Sequence, residues 1–241
     1  MELIRKKEDE LFKRWREHIK CNDQTFFVQD GALNPELYQG SSLKICSVLK
    51  ETPIDGESHT GYHFGDGFQK KLREEGIEYY KTNNKRVLNV LAKRISLIRR
   101  VIQGENNFDL ISALQESAYI NIKKYRGTKI SSVKNLEQVA INDKDFLIEH
   151  FDSILKPDIL LCGKTRHYLG YLYGGSNFDL LLEDPQKKVK LFHQIENGKS
   201  KRLVIEMYHP RHRGSESELL EMLESLLKSY MKSENCIFKG N

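Results

Sequence analysis

The chain has 241 residues, of which 39% are hydrophobic and 30% charged, and its net charge is +5. That is enough apolar material for one sizeable core and argues against a disordered or fibrous chain. Its first ten residues, Met1-Glu-Leu-Ile-Arg-Lys-Lys-Glu-Asp-Glu10, are too charged for a signal sequence, and no apolar run approaches the roughly 20 residues of a membrane span. An intracellular protein without a membrane partner is therefore expected. The four cysteines, at 21, 46, 162 and 236, are too scattered for a disulfide framework or a zinc or iron–sulfur site.

In chain order, residues 2–19 carry Leu3, Leu11, Phe12, Trp15 and Ile19 at helical spacing, which predicts an amphipathic N-terminal helix. Phe26 to Pro35 is turn-rich and leads to a short apolar run, Lys44 to Leu49, read as a central strand. Ile54 to Gly67 is a long loop rich in Gly, His and aromatics, a kind of segment that more often carries function than decoration. Residues 68–103 are read as a mostly helical, basic insertion. Seven of its basic residues, Lys81, Lys85, Arg86, Lys93, Arg94, Arg99 and Arg100, have no acidic residue among them. Such a run suits a phosphate backbone, or else a solvated helix face.

Phe108 to Glu116 predicts a short helix running into a strand at Tyr119–Ile122, and Leu136 to Leu155 a helix ended by Pro157. Ile159–Cys162 is the next strand. The Gly- and aromatic-rich segment from Tyr168 to Asp184 follows, then a short strand at Val189–Gln194 and another at Lys201–Tyr208. Ser215 or Ser217 is placed to cap a last helix through Tyr230. Strands alternating with helices imply a single-domain, three-layer α/β/α fold around a central, mainly parallel four-stranded sheet. No internal repeat, low-complexity tract or linker interrupts it.

Four segments end an apolar run with polar residues: Lys44–Pro53, Ala118–Lys124, Asp158–Lys164 and Leu203–Pro210. Ligands of open parallel sheets bind outside the carboxyl ends of the strands, so Glu51, Asn121, Lys164 and His209 are candidates for one site. A carboxylate, an amide and an imidazole are the groups that cut an N-glycosidic bond. As that bond stretches, the carboxylate stabilises the sugar cation or activates water, while a neutral imidazole donates to the departing base. Glu51 and His209 take those roles, with Asp55 as the rival carboxylate. The bland alternatives are an exposed loop carboxylate for Glu51, a turn histidine for His209 and a buried amide serving a neighbouring loop for Asn121.

By order and position these segments resemble the uracil-DNA glycosylase superfamily over residues 40–225. Lys50-Glu-Thr-Pro53 resembles its first post-strand motif, whose thermophilic branch carries a Glu where Glu51 stands. Tyr119-Ile-Asn-Ile-Lys-Lys124 resembles the strand whose Asn reads the base edge. Gly163 matches a strand-ending Gly, and His209-Pro210 resembles the motif that places the catalytic histidine and begins the loop entering the minor groove.

The resemblance implies a monofunctional, cofactor-free DNA glycosylase that flips a base and leaves an abasic site. Asn121 would read the base edge, with Tyr62, His63 or Phe64 as a stacking wall. Lys164, Arg211, His212, Arg213 and Ser215 would contact phosphate or enter the vacated groove. DNA is the expected partner, and no obligate protein partner is implied.

Three departures point away from plain uracil. Lys50 stands where the family usually has Gly, Arg211 follows His-Pro in place of a small residue, and the cluster-binding cysteines of the thermophilic branch are missing. Together with residues 68–103 and Tyr171-Leu-Tyr-Gly-Gly-Ser-Asn177 they suggest a larger modified pyrimidine, such as those of some viral DNA, and a role in defence. The rival readings are a catalytically inactive nucleic-acid-binding module of the same fold and a hydrolase or transferase acting on free nucleotides. His59, His63, His209 and His212 with Asp55 or Asp66 match no metal-ligand spacing, so no metal is expected.

Overall fold

The computed structural model describes residues 2–20, 27–51, 86–104, 109–124 and 133–238. Its elements in chain order begin with α1 (Glu2–His18), β1 (Gly31–Ala32), α2 (Pro35–Gly40) and β2 (Ile45–Glu51). Next come α3 (Arg86–Gln103), α4 (Leu110–Gln115), β3 (Ser117–Lys123), α5 (Val133–Asn142) and α6 (Lys144–Ile148). A π-helical turn (Glu149–Leu155), β4 (Ile159–Gly163), α7 (Arg166–Tyr173), β5 (Phe178–Glu183), β6 (Lys190–Glu196), β7 (Lys199–Met207) and α8 (Glu216–Lys232) complete the order.

The strands form one mixed sheet of seven, in the order β1-β3-β2-β4-β7-β6-β5. Its middle four, β3-β2-β4-β7, run parallel, whereas β1, β6 and β5 are antiparallel to their neighbours. The expectation of a four-stranded sheet therefore describes only the middle. Of the remainder, β6 falls on the short strand expected at Val189–Gln194, whereas segments read as irregular supply the other two: Gly31–Ala32 pairs with β3, and the second half of the Gly- and aromatic-rich stretch forms β5.

Alternate residues of the parallel strands enter two separate cores. Ile45, Leu49, Ile159, Leu161, Leu203 and Ile205 pack with α3, α4 and α8. Cys46, Val48, Ile120, Leu160, Cys162 and Val204 pack with α1, α5, α6 and α7. Both faces are covered, as a parallel sheet requires, and each fully buried aliphatic side chain adds about 1.5–3 kcal/mol. The single helix expected over Leu136–Leu155 is three pieces, the last closed by Lys156 in the left-handed conformation. Cys46 and Cys162 are buried free thiols, one on each of two neighbouring strands. Among the described residues no helix is long and apolar enough to cross a membrane.

On α1 the residues that turn inward are Ile4, Glu8, Leu11, Phe12 and Trp15, while Leu3 is exposed. Glu8 belongs to this face because Oε1 accepts from the Ala32 N–H (3.0 Å) and from the His150 ring Nε2 (3.2 Å). Burial raises the Glu8 carboxyl to about 7. Burial and Lys124 push His150 down to about 3, so the pair is neutral in mild acid. Alongside it lies an ionic pair, Lys124 with Asp30, both inaccessible.

A Cβ at Gly31, whose φ is +138°, would stand 2.0 Å from Glu8 Oε1. Gly31→Ala is therefore expected to cost about 2–4 kcal/mol in urea unfolding, by combining backbone strain with displacement of a bonded carboxylate. Glu8 has a folded value of about 7 against 4.5 for a free carboxyl, so its contribution is intact below about 4.5 and is lost as the pH rises through 7. Unfolding measured across that window should show Glu8→Gln gaining on the wild type as the pH rises.

Candidate active site

The parallel register brings the candidate strand ends to one edge. Asn121 lies opposite Leu49, Gly163 opposite Met207, and Leu49 comes one residue after the Val48–Cys162 pair, so these four stand abreast. Glu51 pairs with Lys123 two residues further along β2, and His209 is two residues past Met207. Gly163 is where the second row meets the first: a Cβ there would lie 2.4 Å from Leu49 Cδ2 and 3.4 Å from His209 Cα. The glycine that ends β4 thus gives the Leu49 side chain its room, with His209 at contact distance beyond it.

The turn after β4 is fastened to both neighbours. Lys164 adopts φ +58°, and its N–H bonds Met207 O (2.9 Å), while Thr165 Oγ1 donates to Val48 O (2.7 Å). A left-handed lysine costs roughly 1–2 kcal/mol, which these anchors offset. Its ammonium sits 4.7 Å from the Tyr208 ring centroid, and the Tyr208 ring stacks on His212 (4.1 Å, 10° between planes).

His209 has a defined tautomer. Its Nδ1 accepts from the Arg211 N–H (3.1 Å), so the ring proton is on Nε2. Burial, followed by the charges of Arg211, Arg94 and Lys50, lowers its pKa to about 4. At neutral pH the ring is an uncharged hydrogen-bond donor inside a cationic surround. Such a group can meet a developing anion without first giving up a proton.

The other candidates fall into three groups. Arg211, His212, Arg213 and Ser215 lie on the exposed loop that follows His209, and Ser215 Oγ also caps α8 by accepting from Glu218 N (3.3 Å). Asn121 is wholly buried: its N–H (2.7 Å) and Nδ2 (3.1 Å) both donate to Asp30 Oδ2, and its Oδ1 accepts from the Tyr119 hydroxyl (3.2 Å). The amide proposed to read a base edge thus serves the neighbouring loop. Asp55, Tyr62 and Phe64, with His59, His63 and Asp66, lie outside the described residues, as do residues 68–85 of the expected insertion.

The basic run needs a correction. Arg94 and Arg99 are each 1% exposed and do not form a solvated phosphate-binding face. Arg99 meets the Glu116 carboxylate (3.1 Å) and the Leu43 carbonyl (2.9 Å). Arg94 grips both oxygens of Glu216 (2.8 Å each) and the Tyr208 carbonyl (2.7 Å). Spacing held the signal: Leu91, Arg94, Ile95 and Ile98 follow an i, i+3, i+4, i+7 pattern, which puts Arg94 on the apolar face of α3. Of the remaining neighbours, Lys50 is marked only as a departure from the family motif, and Tyr208 and Glu216 are not singled out.

Among the described residues no group of three or more His, Cys, Asp and Glu is placed to hold a metal ion. Comparison with known proteins finds no matching family model, curated protein or solved structure.

In NMR of the labelled ring, His209 is expected to titrate near 4 and to show the Nε2–H tautomer above that pH. The folded value lies below the 6.5 of a free imidazole, so acid protonates the unfolded chain first. Stability attributable to His209 should therefore fall between about pH 6.5 and 4, and His209→Gln should be spared that loss.

Proposed function

We propose that this protein is a DNA glycosylase of the uracil-DNA glycosylase type, hydrolysing the bond between a flipped pyrimidine and its sugar. The observation that carries the reading is His209, a neutral Nε2–H donor at the carboxyl edge of four parallel strands, surrounded by Arg211, Arg94 and Lys50. Breaking the C1′–N bond sends its electron pair into the base. An uncharged donor in a cationic field stabilises that anion, and water then adds to C1′, the proton it gives up ending on the departed base.

Glu51, the last residue of β2, is the proposed carboxylate near the sugar. Arg211 and Arg213 extend from the histidine's loop into solvent and suit phosphate contact. The sequence departures that accompany this reading favour a modified pyrimidine over plain uracil.

A second reading has its own support. Asn121 is buried, with its amide bonded to Asp30 and to the Tyr119 hydroxyl, which favours a module that binds nucleic acid without chemistry.

Abasic-site formation, read by alkaline strand cleavage, separates the two. The panel holds single- and double-stranded DNA with uracil, damaged bases and virus-type modified cytosines. The glycosylase reading expects cleavage that falls on the order of 100-fold or more in His209→Ala. It also expects a rate that is level from about pH 5 to 8 and drops toward pH 4, as the ring becomes charged. Intact DNA binding with no abasic sites anywhere in the panel would reject it in favour of the binding module.

A further inference from the structure

The loop that carries His209 leaves the sheet at Tyr208, just past β7, and enters α8 at Glu216, and both of those residues are held by one side chain from a different part of the chain. We propose that Arg94 is the positioning residue of this site, closing the two ends of the loop so that His209 and the Arg211–Arg213 arm are presented as one preformed unit. What the positioned histidine does rests on the glycosylase reading; the clamp itself is a matter of geometry.

Three directed bonds leave a guanidinium that is 1% exposed: Nε and Nη2 to the two Glu216 oxygens, 2.8 Å each, and Nη1 to the Tyr208 carbonyl at 2.7 Å. Within the loop the bonds are local. His212 N meets His209 O (2.8 Å), Arg211 N meets His209 Nδ1 (3.1 Å), and Ser215 caps α8. These set the loop's shape without fixing where it points. Arg94 sets the direction, because α3 is packed against the same core as β7 and α8.

A planar fork satisfies a carboxylate and a carbonyl at once, which the point charge of a lysine does not. Arg94 also acts through its charge. The charged groups around the histidine are Arg211 from its own loop, Arg94 from α3 and Lys50 from β2. Glu216 at the start of α8 neutralises part of Arg94, and Lys164 faces the adjoining Tyr208 ring. Burial first, and then the charges of Arg211, Arg94 and Lys50, keep the ring neutral.

The test uses the full chain as Arg94→Lys, Arg94→Gln and Glu216→Gln, with 15N-labelled histidine. Amide exchange across 209–215 should quicken in all three. The His209 midpoint should rise above the wild-type value of about 4 in Arg94→Gln and stay near it in Arg94→Lys, which keeps the charge. Single-turnover base release should fall on the order of 100-fold in Arg94→Lys, as misplacement of a reacting group does, with a much smaller loss of DNA affinity as the Arg211–Arg213 arm loosens.

Wild-type exchange and wild-type turnover in Arg94→Lys would overturn the proposal. Where an Arg94 variant does not fold, Glu216→Gln keeps the buried guanidinium and its Tyr208 bond and carries the same exchange test. If the wild type releases no base, the glycosylase reading fails by itself, and exchange and titration still decide whether Arg94 holds the loop.

Discussion

The register of the parallel strands decides where everything else stands. Each parallel pairing carries its neighbour's carboxyl end to the same edge, so Asn121, Leu49, Gly163 and Met207 stand level although they are far apart in sequence. A slip of one residue in any strand would send its alternate side chains to the opposite core and remove its end from the row. The two cores, built from opposite faces of the same strands, therefore enforce the site's geometry with the same contacts that stabilise the fold.

Buried charge is the second organising element. Arg94, Arg99 and Lys124 are withdrawn from water, and each is matched with an acid: Glu216, Glu116 and Asp30. Such pairs contribute little net stability, but breaking one by removing a partner costs about 3–5 kcal/mol, so they fix which segments must meet. Arg94 joins α3 to the loop after β7, and Arg99 joins α3 to the end of α4. Asp30 holds Lys124 and the Asn121 amide, linking the segment before β1 to the far end of β3.

The cations near His209 act by field as well as by contact. Burial alone disfavours the imidazolium, and Arg211, Arg94 and Lys50 add repulsion of like sign. A ring kept neutral by its surroundings, with its Nδ1 already occupied, has one proton on offer and one direction in which to offer it. That directional donor is the chemical property on which the functional reading rests.

Much of this was legible in the chain itself. Short apolar runs at Ile45, Ile159 and Leu203 marked the parallel strands because a strand covered on both faces has no polar side, and the cap of α8 was narrowed to Ser215 or Ser217, of which Ser215 is the one used. The polar residues after those runs marked the candidate site. The antiparallel edge strands were less visible: β5 has exposed and half-buried positions without clean alternation, and β1 is only two residues long. Partners distant in sequence were not legible. Arg94 looked like a basic surface and Asn121 like a reader of bases, because composition records that a side chain is charged or polar but not what it will be folded against. Only the tertiary structure placed Glu216 and Tyr208 around the first and Asp30 beside the second. Local periodicity follows from each residue's neighbours in the chain, whereas the pairing of buried charges depends on which elements the sheet and its helices bring together.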